Sequence, residues 1–156
     1  MCHIGRFLLA GLCIVILVSC RQSPPPPPAS WPTGESDPSG NEIPLIIYER
    51  TDGQGVLHER WEIHADGRVS GEEGQEWYLT PEALMTLMRQ IEESGFIEMQ
   101  DTYLPENPCE DCMVRALGVL TDTGMKTVVV IDGAPDQPPA LMELVQWVDA
   151  LVRERT

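Results

Sequence analysis

Five cysteines, three histidines and 25 acidic side chains are the chain's stock of groups able to ligate, titrate or attack. The tightest cluster is Cys109-Glu110-Asp111-Cys112. A zinc site built on it would need two further soft ligands, and no second CxxC pair exists. A thioredoxin-type redox pair places its first cysteine at a helix N-terminus, where the dipole favours the thiolate. This pair instead precedes an alternating, strand-like run, and its own two carboxylates disfavour a thiolate. A disulfide pinching the loop suits an exported chain and is the expected state of Cys109 and Cys112. A loop so short removes little unfolded-state entropy, so the expected stabilisation is small. His58 and His64 are six residues apart in another strand-like run, roughly 20 Å along an extended backbone, too far to share one ion. Both are expected on a solvated strand face. Asp132-Gly133-Ala134-Pro135-Asp136 lacks the dense carboxylate spacing of a calcium loop and reads as a solvated turn. No nucleophile elbow, phosphate-cradling glycine loop or HExxH pattern occurs. No catalytic residue, metal or cofactor is therefore assigned, and the expectation is a protein that is not an enzyme.

The overall charge narrows the partners. The 156 residues carry 10 Lys+Arg against 25 Asp+Glu, a formal charge of −15. A nucleic-acid partner needs a basic face that this chain cannot assemble. An anionic bilayer would repel the polypeptide for the same reason. With only 2 Phe and 3 Tyr, the core must come from Leu, Val, Ile, Met and the 4 Trp.

Three segments differ sharply in composition. Residues 1–19 hold one charge, Arg6, and then the twelve apolar residues Phe7 to Val18. A spanning helix needs about 20, so this run is too short to cross a bilayer and reads as a secretory signal. Its end, Leu17-Val18-Ser19-Cys20, resembles the lipobox of bacterial lipoproteins: an aliphatic residue, a tolerant position, a small residue, then cysteine. The resemblance implies alkylation of the Cys20 thiol with a diacylglycerol, cleavage between Ser19 and Cys20, and acylation of the new amine, with palmitate-like chains. It also implies a cell-envelope location, membrane-anchored by lipid, with the remainder facing outside the cytoplasm. Two or more acyl chains are what stable anchoring requires. Cys13 is a rival lipobox cysteine, but Leu12 before it is larger than the usual small residue. An ordinary secretory signal or a short uncleaved anchor is the plainer alternative. Losing the leader removes Arg6 and no acidic residue, so the mature chain is more negative still.

Residues 20–42 follow as the lipidated cysteine and a Pro-rich, disordered tether. Seven prolines, five of them consecutive, leave Trp31 as the one large apolar side chain between Arg21 and Glu42. Such a stretch cannot bury a core and favours polyproline II, with a full reach of roughly 60–70 Å at about 3.1 Å per residue. An SH3-type or WW-type ligand is the functional alternative to a spacer.

Residues 43–156 are long enough for one domain. Pro44 to Arg50 is a strand run, punctuated by Thr51-Asp52-Gly53-Gln54-Gly55. Val56 to His64 alternates, with Leu57, Trp61 and Ile63 on one face and His58, Arg60, Glu62 and His64 on the other. Asp66-Gly67 signals a hairpin into Arg68-Val69-Ser70, and Trp77-Tyr78-Leu79 is a candidate for one more short strand. Thr80-Pro81-Glu82 has the chemistry of a helix start, and Gly95 that of its stop. Met113 to Leu120 and Met125 to Ile131 form a second hairpin around Thr121-Asp122-Thr123-Gly124. Pro138-Pro139 opens a final helix with Leu141, Leu144, Val145, Val148, Leu151 and Val152 at helical spacing. The pattern predicts an α+β fold, βββαββα, with an antiparallel sheet of about five strands and two helices on one face.

From Ile46-Ile47-Tyr48-Glu49-Arg50-Thr51 onward the module resembles the emfourin family, small bacterial inhibitors of thermolysin-like metallopeptidases. The matching pieces are that opening, Leu79-Thr80-Pro81-Glu82, Glu93-Ser94-Gly95-Phe96-Ile97, and Val128 to Pro135 followed by Leu141, Leu144 and Trp147. They span most of residues 45 to 152. The hairpin at Asp66-Gly67 and the Cys109/Cys112 pair depart from the pattern. The resemblance implies a monomeric, lipid-anchored inhibitor whose loop surface occupies the cleft of a secreted or envelope metallopeptidase. No inhibitory residue carries over. The alternatives are an envelope structural or assembly lipoprotein, and a thiol-redox protein using Cys109 and Cys112.

Overall fold

The structure is a computed structural model and describes residues 42–54, 56–107 and 111–153. The leader, Cys20 with Ser19, and all of the expected tether except Glu42 lie outside the described residues, as does Cys109. The described chain is α+β. Strands β1 (Ile46–Thr51), β2 (His58–Ile63), β3 (Arg68–Gly71) and β4 (Glu76–Tyr78) precede helix α1 (Pro81–Glu93). A 3₁₀ turn (Phe96–Glu98), β5 (Thr102–Tyr103), β6 (Val114–Thr121), β7 (Gly124–Ile131) and helix α2 (Pro139–Arg153) follow.

The sheet corrects the expected one. It has 7 strands in the order β4-β3-β2-β1-β6-β7-β5 and is mixed, because β5 pairs in parallel with β7. The expected strands are all present. Glu76–Tyr78 supplies the candidate short strand as β4, and Thr102–Tyr103 adds a β5 that has no sequence pattern of its own. Two residues cannot alternate visibly. β5 exists because Val129 N–H donates to the Asp101 carbonyl at 2.8 Å and Tyr103 falls opposite Val130.

Alternation assigns the faces. Ile46, Tyr48 and Arg50 of β1 lie opposite Ile63, Trp61 and Glu59 of β2, and opposite Val119, Leu117 and Arg115 of β6. Val69, Val128 and Val130 extend this face, whose apolar members are buried. Both helices contribute to the same core, α1 through Leu87, Met88 and Ile91 and α2 through Leu141, Leu144, Val145, Val148 and Val152. The Tyr48 hydroxyl donates to Asp149 of α2 at 2.9 Å, which fixes α2 on this side. α1 lies beside α2, sharing a groove lined by Gln90, Glu93, Ala140 and Trp147.

The ends of α1 follow their residue chemistry. Thr80 is the N-cap, its hydroxyl accepting from Ala83 N–H at 3.2 Å, and Pro81 takes the first helical position, where no N–H is needed. Gly95 stops the helix in the left-handed region at φ 69°, which an L side chain resists. That reversal drops Phe96 into the core and leaves the next residue, Ile97, 47% exposed.

Candidate functional site

Register gathers several connections at one end of the sheet. Thr51 lies opposite both His58 and Val114, and Val114 opposite Ile131. The β1–β2 loop, the segment entering β6 and the turn leaving β7 therefore sit together. The β3–β4 turn joins them, because Glu72 N–H donates to the Arg60 carbonyl at 3.3 Å.

The β1–β2 loop is braced at its root. Asp52 N–H donates to the Leu57 carbonyl at 3.2 Å, and Val56 N–H to the Asp52 carboxylate at 2.8 Å. The Gln54 amide donates to Asp111, tying this loop to the one that enters β6. Held this way, Val56 projects into solvent with 83% of its surface exposed, the most exposed large apolar residue described. Behind it runs a shallow groove lined by Val56, His58, Glu59, Glu72, Gln75 and Arg153, among others.

Below the loops lies a polar network that closes this end of the core. Arg50 is only 6% exposed, yet it sits at an inward position of β1. Its Nη2 donates to Glu59 at 2.8 Å and its Nη1 to Asp149 at 3.3 Å. Asp149 also accepts from Tyr48 and pairs with Arg153, one helical turn on, at 3.1 Å. Burial, then the charge of Asp149 and the hydrogen bond to it, raise the Tyr48 pKa well above that of a free phenol. Tyr48 thus keeps its proton, and its donated bond, past the pH at which an exposed tyrosine ionises.

The surface charge at this end is mainly negative. Asp52, Glu59, Glu72, Glu73, Asp111 and Asp132 belong to it, while Arg50 is spent on Glu59 and Asp149 and Arg115 on Asp132. Such a surface favours encounter with a cationic partner and disfavours an anionic one. On the solvent side of β2, Arg60 bridges Glu49 and Glu62. Burial works against its charge, but the hydrogen bonds to Glu62 and Glu49 outweigh this and raise its pKa.

The residues singled out by sequence fall in different places. Cys112 opens the segment into β6, with its Sγ 3.3 Å from the Asp132 carbonyl oxygen. Asp132 belongs to the acidic turn and is engaged by Arg115. His58 is half-exposed and 3.2 Å from Glu72. His64 departs from the expectation of a solvated position, being 3% exposed. The hairpin neck is responsible, since His64 N–H donates to the Arg68 carbonyl at 2.8 Å while Glu42 and Glu62 close over the ring at 3.7 and 3.9 Å. Arg50, Glu59, Tyr48 and Asp149 form a network beside the candidate site that sequence reasoning passed over. One signal was available: Arg50 shares the parity of Ile46 and Tyr48, and a cation in an apolar register implies a buried partner. No protein-family model matches the chain, and no curated protein matches it in sequence.

Proposed function

We propose that this protein is a lipid-anchored, extracytoplasmic binding module that inhibits a thermolysin-like metallopeptidase through its acidic loop end. The observation that carries the reading is Val56, presented at 83% exposure on a loop whose root is hydrogen-bonded through Asp52. A loop braced at its root by such hydrogen bonds loses less entropy when a cleft closes around it, and an exposed aliphatic side chain supplies the apolar anchor. The link between Gln54 and Asp111 lets the neighbouring loop share the load, and a Cys109–Cys112 disulfide would stiffen that neighbour further. The protein acts by occupying its partner and performs no chemistry of its own.

The test is inhibition of a thermolysin-like peptidase by the mature-length chain at micromolar concentration, beside its Val56→Asp variant. Inhibition by the first, and weakening by about 10- to 100-fold in the second, are expected, matching the value of burying one valine. An unchanged peptidase rate removes the metallopeptidase as partner, and equal inhibition by both chains removes the loop. The anchor is tested separately by metabolic labelling with a fatty acid. Label is expected on the wild-type chain and none on Cys20→Ala; label persisting in the variant refutes acylation at Cys20.

A further inference from the structure

The last turns of α1 and the first half of α2 leave an open groove between them, of about 360 Å³. Gln90, Glu93, Ala140, Glu143, Leu144 and Trp147 line it. Leu144 is buried in the core, and Trp147 packs against that core while staying partly exposed. The volume is at the small end of ligand pockets, roughly 300–1,000 Å³, and suits a single side chain.

The lining selects a cation. Two carboxylates, Glu93 and Glu143, border the groove, and among the described residues no Lys, Arg or His lines it. Arg89 reaches Glu93 from one turn earlier on α1, but at 3.9 Å and with both side chains largely exposed, a weak pairing of the helical i,i+4 kind. Gln90 Oε1 is buried with no hydrogen-bond donor among the described residues. Buried acceptors in that condition are exceptions in folded proteins, and a turn of the amide into the groove offers this one to an incoming N–H. The indole of Trp147 adds an aromatic face, the ring type that attracts a cation best.

We propose that the groove between α1 and α2 is the docking site of an arginine side chain carried by a protein partner. Guanidinium suits it better than ammonium. It is planar, so it stacks on an indole, it is more weakly hydrated, and its several N–H groups serve two carboxylates and an amide oxygen together. Its aliphatic stem finds Ala140 and Leu144. The same acidity selects the source. Free arginine brings its own carboxylate toward Glu93 and Glu143, in a chain of formal charge −15, whereas an arginine within a polypeptide brings none. The site is separate from the loop end. Ala140 lines this groove and Arg153 the one behind Val56, and thirteen residues of α2 divide them, about 20 Å at 1.5 Å per residue. The inference therefore stands whether or not the loop end inhibits a peptidase.

The experiment titrates acetyl-arginine methylamide into the ¹⁵N-labelled mature-length chain with Cys20→Ser and follows the indole N–H lines by NMR, Trp147 being assigned with Trp147→Phe. The Trp147 line is expected to move with a Kd on the order of millimolar, as for one contact side chain, while the Trp61 line stays in place. Acetyl-citrulline methylamide, which has nearly the same shape and no charge, is expected to leave it still, and free arginine to bind more weakly. Glu93→Gln with Glu143→Gln, both at exposed positions, is expected to weaken binding about fivefold, the worth of two exposed ion pairs. A Trp147 line that the capped arginine does not move overturns the proposal, as does one that citrulline moves equally or that the double variant leaves unchanged. Free arginine binding as tightly as the capped form overturns the protein partner as the source. Movement of the Trp61 line instead places the cation on the acidic loop end and overturns the groove as its site.

Discussion

Arg50→Ala is expected to lower the unfolding free energy by about 2–3 kcal/mol, the range for losing charge-assisted hydrogen bonds, because the Glu59 and Asp149 carboxylates left behind keep 32% and 23% exposure to water. The substitution deletes the cation between Glu59 and Asp149 and leaves two carboxylates facing each other at the edge of the core. It also removes an aliphatic stem packed at an inward position of β1. Asp149 keeps Tyr48 on Oδ1, the oxygen that Arg50 shared, and Arg153 on Oδ2, so the loss concentrates on Glu59. Urea unfolding, with the midpoint shifted and the slope unchanged, is the measurement. A companion variant separates charge from packing. Arg50→Met with Glu59→Leu removes the cation together with the carboxylate that depends on it, leaves Asp149 with Tyr48 and Arg153, and is expected to recover most of the lost stability, since apolar replacement of a buried pair is often neutral or better. If Arg50→Ala unfolds within about 1 kcal/mol of the parent, as for an exposed ion pair, the network is not a structural element of the loop end.

Phe96→Ala is expected to cost about 3–5 kcal/mol, the usual range for a phenylalanine deleted from a packed interior. Phe96 is fully buried and stands at the point where the chain reverses out of α1 toward β5. Its loss opens a cavity among helix, 3₁₀ turn and sheet that the left-handed Gly95 cannot relax into without giving up the helix stop. Ile97→Ala, one residue on and 47% exposed, should stay within about 0.5 kcal/mol. Equal effects from the two would mean that Gly95 does not set the reversal described.

Much of the fold was legible because its elements are locally consistent. Thr80 followed by Pro81 marks the helix start to the residue, and the alternation of Trp61 and Ile63 against Arg60 and Glu62 orients β2 correctly. What escaped was set by distant partners. β5 is two residues long and exists through β7, and the sheet order places β1 beside β6 across the whole intervening helix. Arg50 was readable as inward-facing, but its partner Asp149 lies 99 residues away, and nothing local pairs them. His64 shows the opposite failure: parity assigns it correctly to the non-core side, and a carboxylate from before the first strand then buries it. At the loop end, the exposure of Val56 was not legible either, because a hydrophobic residue next to a turn reads as the start of a strand. Only the Asp52 brace reveals it as a display.

The lengths of the two outermost strands have a consequence for life in a crowd. β4 offers three residues and β5 two to any neighbour seeking a free sheet edge. Long, flat edges are templates for pairing with another chain, and short ones are among the devices by which folded proteins avoid it. A lipid on Cys20 would confine many copies of this molecule to one thin layer, where encounters between like surfaces multiply. On the β4 flank the sheet meets those encounters with little unpaired backbone, whereas β5 covers only Val129 and Val130 of β7, so the stretch Gly124–Val128, paired with β6 alone, is the edge through which crowded copies would meet.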